Sequence, residues 1–343
     1  MKKFVPIIAT AAMLATVGSA QARDGIRIVG SSTVFPFSSA VAEQFGNKTE
    51  FPTPVVESTG SGGGAKLFCQ GVGTEHPDIT NASRRMKSSE YELCQSNGVK
   101  DIVEVKIGFD GIVMANAKAG PDLSLTLKQV FQAFAKEVPI GGKMVPNPYK
   151  KWSDIDPSLP DAKIEAFGPP PTSGTRDAFV EIAMEKGAKK FDFLSALRKE
   201  DKSAFKNIAH AIREDGAWID SGENDNAIVQ TLAQNPKAVG IFGYSFLDQN
   251  SDSIKGAVVD GNNPTFESIA AGDYGVSRSL YFYVKKQHVG VVPGIAEYVA
   301  EFVGDDASGD LGYLSDKGLI PLPADARATM KQNALDLTTW DGS

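Results

Sequence analysis

Three short runs hold the residue types that cradle an anion: Gly30-Ser31-Ser32-Thr33-Val34, Gly60-Ser61-Gly62-Gly63-Gly64 and Thr172-Ser173-Gly174-Thr175-Arg176. Each leads into a segment with helical spacing. A helix start offers unpaired backbone N–H groups and a partial positive charge, and the two together hold an anion. Glycines let the backbone approach a ligand closely. The hydroxyls of Ser61, Ser173 and Thr175 can donate to an oxyanion, and Arg176 brings a guanidinium fork suited to phosphate-like oxygens. Each run also has a plain structural reading. Ser32 or Thr33 can cap a helix, Gly60–Gly64 can be a turn, and Ser173 can be an N-cap with Arg176 in solvent. A fourth segment, Ala82-Ser83-Arg84-Arg85, ends another strand-like run. Adjacent side chains seldom face the same way, so at most one of Arg84 and Arg85 reaches a ligand. Four oxyanion-friendly segments, each following a strand, point to one anion held from several sides.

The same residues exclude other chemistries. No G-K-[ST] closes the glycine run, so it is not a P-loop. Thr59 stands where a nucleophile elbow needs its first glycine. His76, His210 and His288 are scattered without metal-ligand spacing, which argues against an exported phosphatase or hydrolase. The expectation is reversible capture by a non-enzyme that needs no cofactor.

The elements that must position these runs alternate between strand and helix patterns. Residues 26–29 are a short apolar run, and Val34, Phe37, Val41 and Phe45 mark a helix face at spacings of three and four. Strands are expected at 54–57, around Ile79, at 102–105, 112–114, 163–167, 239–244 and 280–284. Helices are expected at 65–70 and 127–134, and again after Arg176, with Phe179, Ile182 and Ala183 inward. Residues 138–148 read as a surface loop or hairpin, and Pro169-Pro170-Pro171 stiffens the approach to the third run. This alternation indicates an α/β fold with mostly parallel sheets and a ligand at the carboxyl ends of the strands.

The N-terminus has Lys2 and Lys3, an apolar stretch from Phe4 to Val17 and Ala20-Gln21-Ala22 as a cleavage site, which together fit an export signal over residues 1–22. Cutting after Ala22 leaves 321 residues, about two domains by length. Cys69 and Cys94, the chain's two cysteines, lie in the exported part. A bridge between them would close a loop of about 25 residues and stabilise by roughly 3 kcal/mol. A metal pair or reactive thiol is the alternative, without C-x-x-C spacing to support it. The chain carries −7, and −9 without Lys2 and Lys3. No basic stripe exists to displace the counterions of a nucleic acid. An acidic protein that binds an anion must rely on local dipoles and a few placed cations.

In order along the chain, these runs resemble the anion loops of the periplasmic phosphate-binding subunit of the phosphate ABC transporter, a type II periplasmic binding protein. The likeness runs through residues 30–36, 60–66, 78–84 and 173–176, then Lys151-Trp152-Ser153-Asp154, residues 238–241 and Ser279-Leu280-Tyr281-Phe282-Tyr283-Val284. The resemblance implies two α/β lobes, each a mostly parallel sheet flanked by helices, with the ligand in the cleft between them. Residues 26–105 plus 279–343 would form lobe I and 106–278 lobe II, with hinge crossings near 105–110 and 274–282. It implies one dehydrated inorganic phosphate held by Ser32, Thr33, Val34, Ser61, Gly62, Ser83, Arg84, Ser173, Gly174, Thr175 and Arg176. It also implies delivery to an inner-membrane ABC permease. Two positions depart from the better-known members. Ser83 or Arg84 stands where those carry the Asp that accepts a proton from phosphate and repels sulfate, and Pro169 stands where they carry an Arg. Arg84 and Arg176 are the candidate replacement cations, and Asp110 is a candidate acceptor. Other oxyanions (sulfate, molybdate, tungstate, a phosphonate) are the competing ligands.

Overall fold

The computed structural model describes residues 23–171, 173–222 and 225–343. The expected export signal and Thr172 lie outside the described residues. Nine strands among those described join into one hydrogen-bonded sheet. They are β1 (Arg27–Gly30), β2 (Val55–Ser58), β3 (Ile79–Ala82), β4 (Ile102–Ala117), β5 (Ala166–Gly168), β6 (Trp218–Asp220), β7 (Val239–Gly243), β8 (Ile254–Gly256) and β9 (Ser277–Lys285). The order is β2-β1-β3-β9-β4-β7-β5-β6, with β8 also on β4.

The short outer strands pair in parallel: β1 with β2 and β3, and β5 with β6 and β7. Every antiparallel pairing in this sheet involves β4 or β9. The sheet is therefore mixed rather than mostly parallel. Two long strands that travel in opposite directions between the halves must pair antiparallel with each other, and they impose that direction on their neighbours. Residues 102–105 and 112–114, two strands by sequence, belong to the single 16-residue β4. Gly108 and Gly111 interrupt the apolar pattern without ending the strand.

Burial divides around these two strands into a two-lobed α/β fold. Val103, Val105 and Ile107 of β4 join a core with Ile28, Val41, Phe45, Phe282 and Phe302. From Phe109 onward β4 joins a second core built around Phe134, Phe179 and Trp218. There the rings of Trp152, Phe179 and Trp218 surround Phe134 at centroid separations of 5.9, 6.1 and 5.6 Å, a spacing at which aromatic edges and faces attract. A third, smaller cluster packs around the Cys69–Cys94 disulfide, which is formed. Residues 137–146 form the hairpin Glu137–Ile140 and Lys143–Pro146, turned by Gly141 and Gly142, both at positive φ.

Between the lobes the β4–β9 ladder carries a bulge. Leu280 pairs with Gly108 but Tyr281 pairs with Lys106, so Ile107 is an extra residue on β4. Beside it Phe109 bridges Ile320 with two backbone hydrogen bonds of 2.8 and 3.0 Å, which adds a third segment at the junction.

Candidate functional site

The first run begins where β1 ends. Gly30 has φ +133°, and a Cβ there would lie 2.2 Å from the Asn81 carbonyl oxygen. The close approach lets Ser31 N–H donate to Asn81 O (2.9 Å) and Thr59 N–H to Gly30 O (2.8 Å). The first two runs are thus tied to the ends of adjacent parallel strands. After Ser31 the chain turns into α1 (Phe35–Lys48), and the Ser31 hydroxyl accepts from Val34 N–H at 3.4 Å. Val34 is fully buried, so its side chain belongs to the core.

The glycine run is itself helical. α2 spans Ser61–Phe68, four residues earlier than the sequence expectation. The reason is packing: a Cβ on Gly64 would meet the Gly30 Cα at 2.5 Å and the Thr80 hydroxyl at 2.7 Å. Glycine lets the helix start lie against the strand ends. The N–H groups of Ser61, Gly62 and Gly63 precede the first intrahelical bond, Gly64 N–H to Gly60 O. Ser61 Oγ accepts from Ser83 N–H (3.1 Å) and lies 3.2 Å from Ser83 Oγ, which joins the second and fourth segments.

Ser173 caps α4 (Gly174–Phe179), with its hydroxyl accepting from Thr175 N–H at 3.2 Å. Phe179, buried against Phe134 and Trp218, anchors this helix in the second core.

The two proposed cations are placed differently. Arg84 lines the cleft beside Ser61 and Gly62, but Glu90 of α3 (Ser88–Ser96) grips it in a bidentate pair at 2.8 and 2.6 Å. Arg176 lies away from Ser61 and Ser83. Its guanidinium sits 4.6 Å over the Trp218 ring, donates to Pro169 O (3.1 Å) and Asp220 (3.3 Å), and lines a separate recess with His210 and Glu214. Its position just inside α4 turns the side chain back along the helix, toward Pro169 and Trp218. Arg176 therefore lines a different recess from Ser61, Gly62 and Arg84.

Arg278, on β9, brings a further guanidinium to the lining of the cleft with Ser61 and Gly62. It stands opposite Asp110 in the β4–β9 ladder. Its guanidinium hydrogen-bonds Asp110 (3.3 Å), Glu181 (2.8 Å) and the Thr33 hydroxyl. One cation thus touches the first run, the crossing strand β4 and the helix that continues from α4. Burial pushes the Asp110 carboxyl above its ordinary value; Arg278 opposes the rise and Glu181 adds to it. The sequence flagged Asp110 beside Gly108 and Gly111 but did not single out Arg278. Their pairing depends on the register across the bulge, and no local pattern encodes that.

Two cavities adjoin at the Thr33–Arg278–Asp110 contact. One, of about 360 Å³, is lined by Thr33, Asp110 and Ser173–Thr175. The other, of about 600 Å³, is lined by Ser31, Ser32, Ser61, Gly62, Ser83, Arg84 and Arg278. The third run therefore faces the first across one cavity, while the second and fourth face the other.

Residues 15–306 match the model of the PBP superfamily domain. The chain is 28% identical over 336 residues to protein SphX of Synechococcus elongatus, covering 96% of this chain and 87% of that protein. It is 29% identical over 313 residues to the phosphate-binding protein PstS of Staphylococcus saprophyticus, covering 90% and 83%. Among solved structures, a possible phosphate binding protein from Planctomyces limnophilus superposes with a TM-score of 0.72 at 28% identity, covering 92% of this chain and 99% of that one.

Proposed function

We propose, from the premise that the chain belongs to the PBP superfamily, that it captures inorganic phosphate outside the cytoplasm and delivers it to an ABC permease. The location follows from the export signal, and in a cell with two membranes it is the periplasm. The observation that carries the reading is the contact of Arg278 with Thr33 and Asp110 at the meeting point of the anion runs. Phosphate would sit against the hydroxyls and N–H groups of Ser32, Thr33, Ser61, Gly62 and Ser83 on one side and Ser173, Gly174 and Thr175 on the other. The Val34 N–H completes the first run. Arg278 supplies the cation assigned by sequence to Arg176, and Arg84 stays at the rim under Glu90.

Charge-assisted hydrogen bonds contribute roughly 1.5–3 kcal/mol each, against the cost of stripping water from a dianion. A handful is enough for micromolar binding or better. Residues 26–105 with 279–343, and residues 106–278, would close as two bodies about the crossings near 105–110 and 274–282. Closure would bring the two sets of donors onto one anion and create the surface a permease reads. The work asked of the protein is binding and release, with no bond made or broken.

The test is calorimetric titration with phosphate. The parent is expected to bind, and Arg278→Ala to lose at least about a hundredfold in affinity, as expected when a charged hydrogen-bonding partner is removed. Arg176→Ala is expected to bind nearly as the parent does. Full binding by Arg278→Ala would refute the assignment.

A further inference from the structure

The two cavities that meet at Thr33 and Arg278 carry opposite charge. Seven basic and three acidic residues line the larger one. Three acidic residues and one basic residue line the smaller: Asp110, Asp225, Asp316 and Lys317. This contrast stands inside a chain whose formal charge is −7. The acidic members of the larger cavity are engaged. Glu90 holds Arg84, Glu181 holds Arg278, and Glu185 bonds His210 at 2.8 Å with Lys206 at 3.6 Å. Arg198 on α5 (Asp192–Glu200) and Lys202 on α6 (Lys202–Ala209) are exposed and have no ion-pair partner among the described residues. Lys186 stands with them in the lining, held below its ordinary value by burial first and then by Lys189 and Arg278. Like charges gathered this way repel one another, and an arriving anion relieves that repulsion.

We infer that phosphate enters the cleft through the mouth framed by α5 and α6, where Arg198 and Lys202 form a cationic collar, rather than through the opposite mouth at Asp316. This rests on the reading of the cleft as an oxyanion site. The collar acts on the encounter rather than on the bound state. It raises the association rate of a multiply charged anion, and salt weakens the effect because both side chains are exposed. The collar has a specific consequence: charge reversal at the two mouths has unequal effects.

The experiment follows association of radiolabelled inorganic phosphate by rapid filtration, from about 0.02 to about 0.5 M ionic strength. The variants are Arg198→Glu/Lys202→Glu, its neutral counterpart Arg198→Gln/Lys202→Gln, and Asp316→Lys on the opposite mouth. At low salt the double reversal is expected to slow association about tenfold or more. The neutral pair should fall between it and the parent, and the three rates should converge at high salt. Dissociation should stay unchanged. Asp316→Lys should leave the association rate within about twofold of the parent, since the collar already dominates the approach. A double reversal that keeps the parent's rate and salt slope would overturn the collar, as would an Asp316→Lys acceleration equal in size to the double reversal's loss. A parent that fails to bind phosphate in calorimetry would instead overturn the reading of the site, so the two failures are distinguishable.

Discussion

Asp110 is the residue on which selectivity should turn. Its carboxylate lies 3.3 Å from the Arg278 guanidinium with 13% of its side chain exposed. An ionised carboxylate can accept a hydrogen bond from a protonated phosphate oxygen, whereas sulfate at neutral pH has no proton to give. We expect Asp110→Asn to reduce the preference for phosphate over sulfate by at least about tenfold, since the amide can donate where the carboxylate repels. Competition calorimetry with the two anions measures this, and an unchanged ratio would place the acceptor elsewhere. The same group gives a pH signature in the ligand-free protein. Burial raises its folded value above the unfolded one, so its contribution to stability is present at low pH and is lost as pH rises through the folded value. The melting temperature of Asp110→Asn should therefore gain on the parent's as pH is raised from acid to neutral. Legibility at this scale was uneven. Ser61, Ser83, Ser173 and Thr33 are legible as candidates by type and by their place after strands, and they line the two cavities. Arg176 shared that signal but stacks on Trp218, because a position in the first turn of a helix does not fix where a long side chain ends. Arg278 was silent, because its partner is 168 residues away in sequence.

Among the elements, the pair of helices behind the second and fourth segments depends most on a covalent link. Cys69 caps the end of α2, and Cys94 lies in α3, whose Glu90 holds Arg84. The bridge spans 25 residues and both cysteines are fully buried. Replacing the pair, Cys69→Ala/Cys94→Ala, should cost roughly 3 kcal/mol of stability. Because α2 and α3 carry Ser61 and the Arg84 partner, phosphate affinity should fall as well. Urea denaturation and calorimetry on the same preparation separate the two effects, and an unmoved midpoint would show that packing alone holds these helices. The elements also show what periodicity can and cannot reveal. The apolar face of α1 was readable from spacings of three and four. The helical state of Gly62–Gly64 was not, since glycine has poor helix propensity and the run reads as a loop. The deciding contact is tertiary, between Gly64 and the Gly30 backbone. β4 reads as two strands in the sequence for a related reason: its glycines mark a bulge and a close packing contact, not a turn.

At the scale of the whole molecule, the proposed capture requires two bodies to move about one short junction. The junction holds β4, β9 and the Ile320 segment, and its center is Gly108. Gly108 has φ +150°, and a Cβ there would lie 2.3 Å from the Ile320 carbonyl oxygen. That carbonyl accepts the Phe109 N–H at 2.8 Å, so it cannot retreat without breaking the bridge. An extra residue in one strand loosens the ladder locally, and a glycine tolerates the backbone changes that closure demands. We therefore expect Gly108→Ala to destabilise the protein by about 1–3 kcal/mol. It should also uncouple the lobes: phosphate should contract the parent, seen as a smaller radius of gyration in solution scattering, and contract the variant less. The affinity of the variant should fall with the lost contraction, because donors on opposite lobes no longer converge on one anion. If Gly108→Ala melts with the parent and contracts to the same extent, the bulge is not the hinge. Motion would then have to arise elsewhere along β4 and β9, and the third segment at Ile320 would be a passive brace.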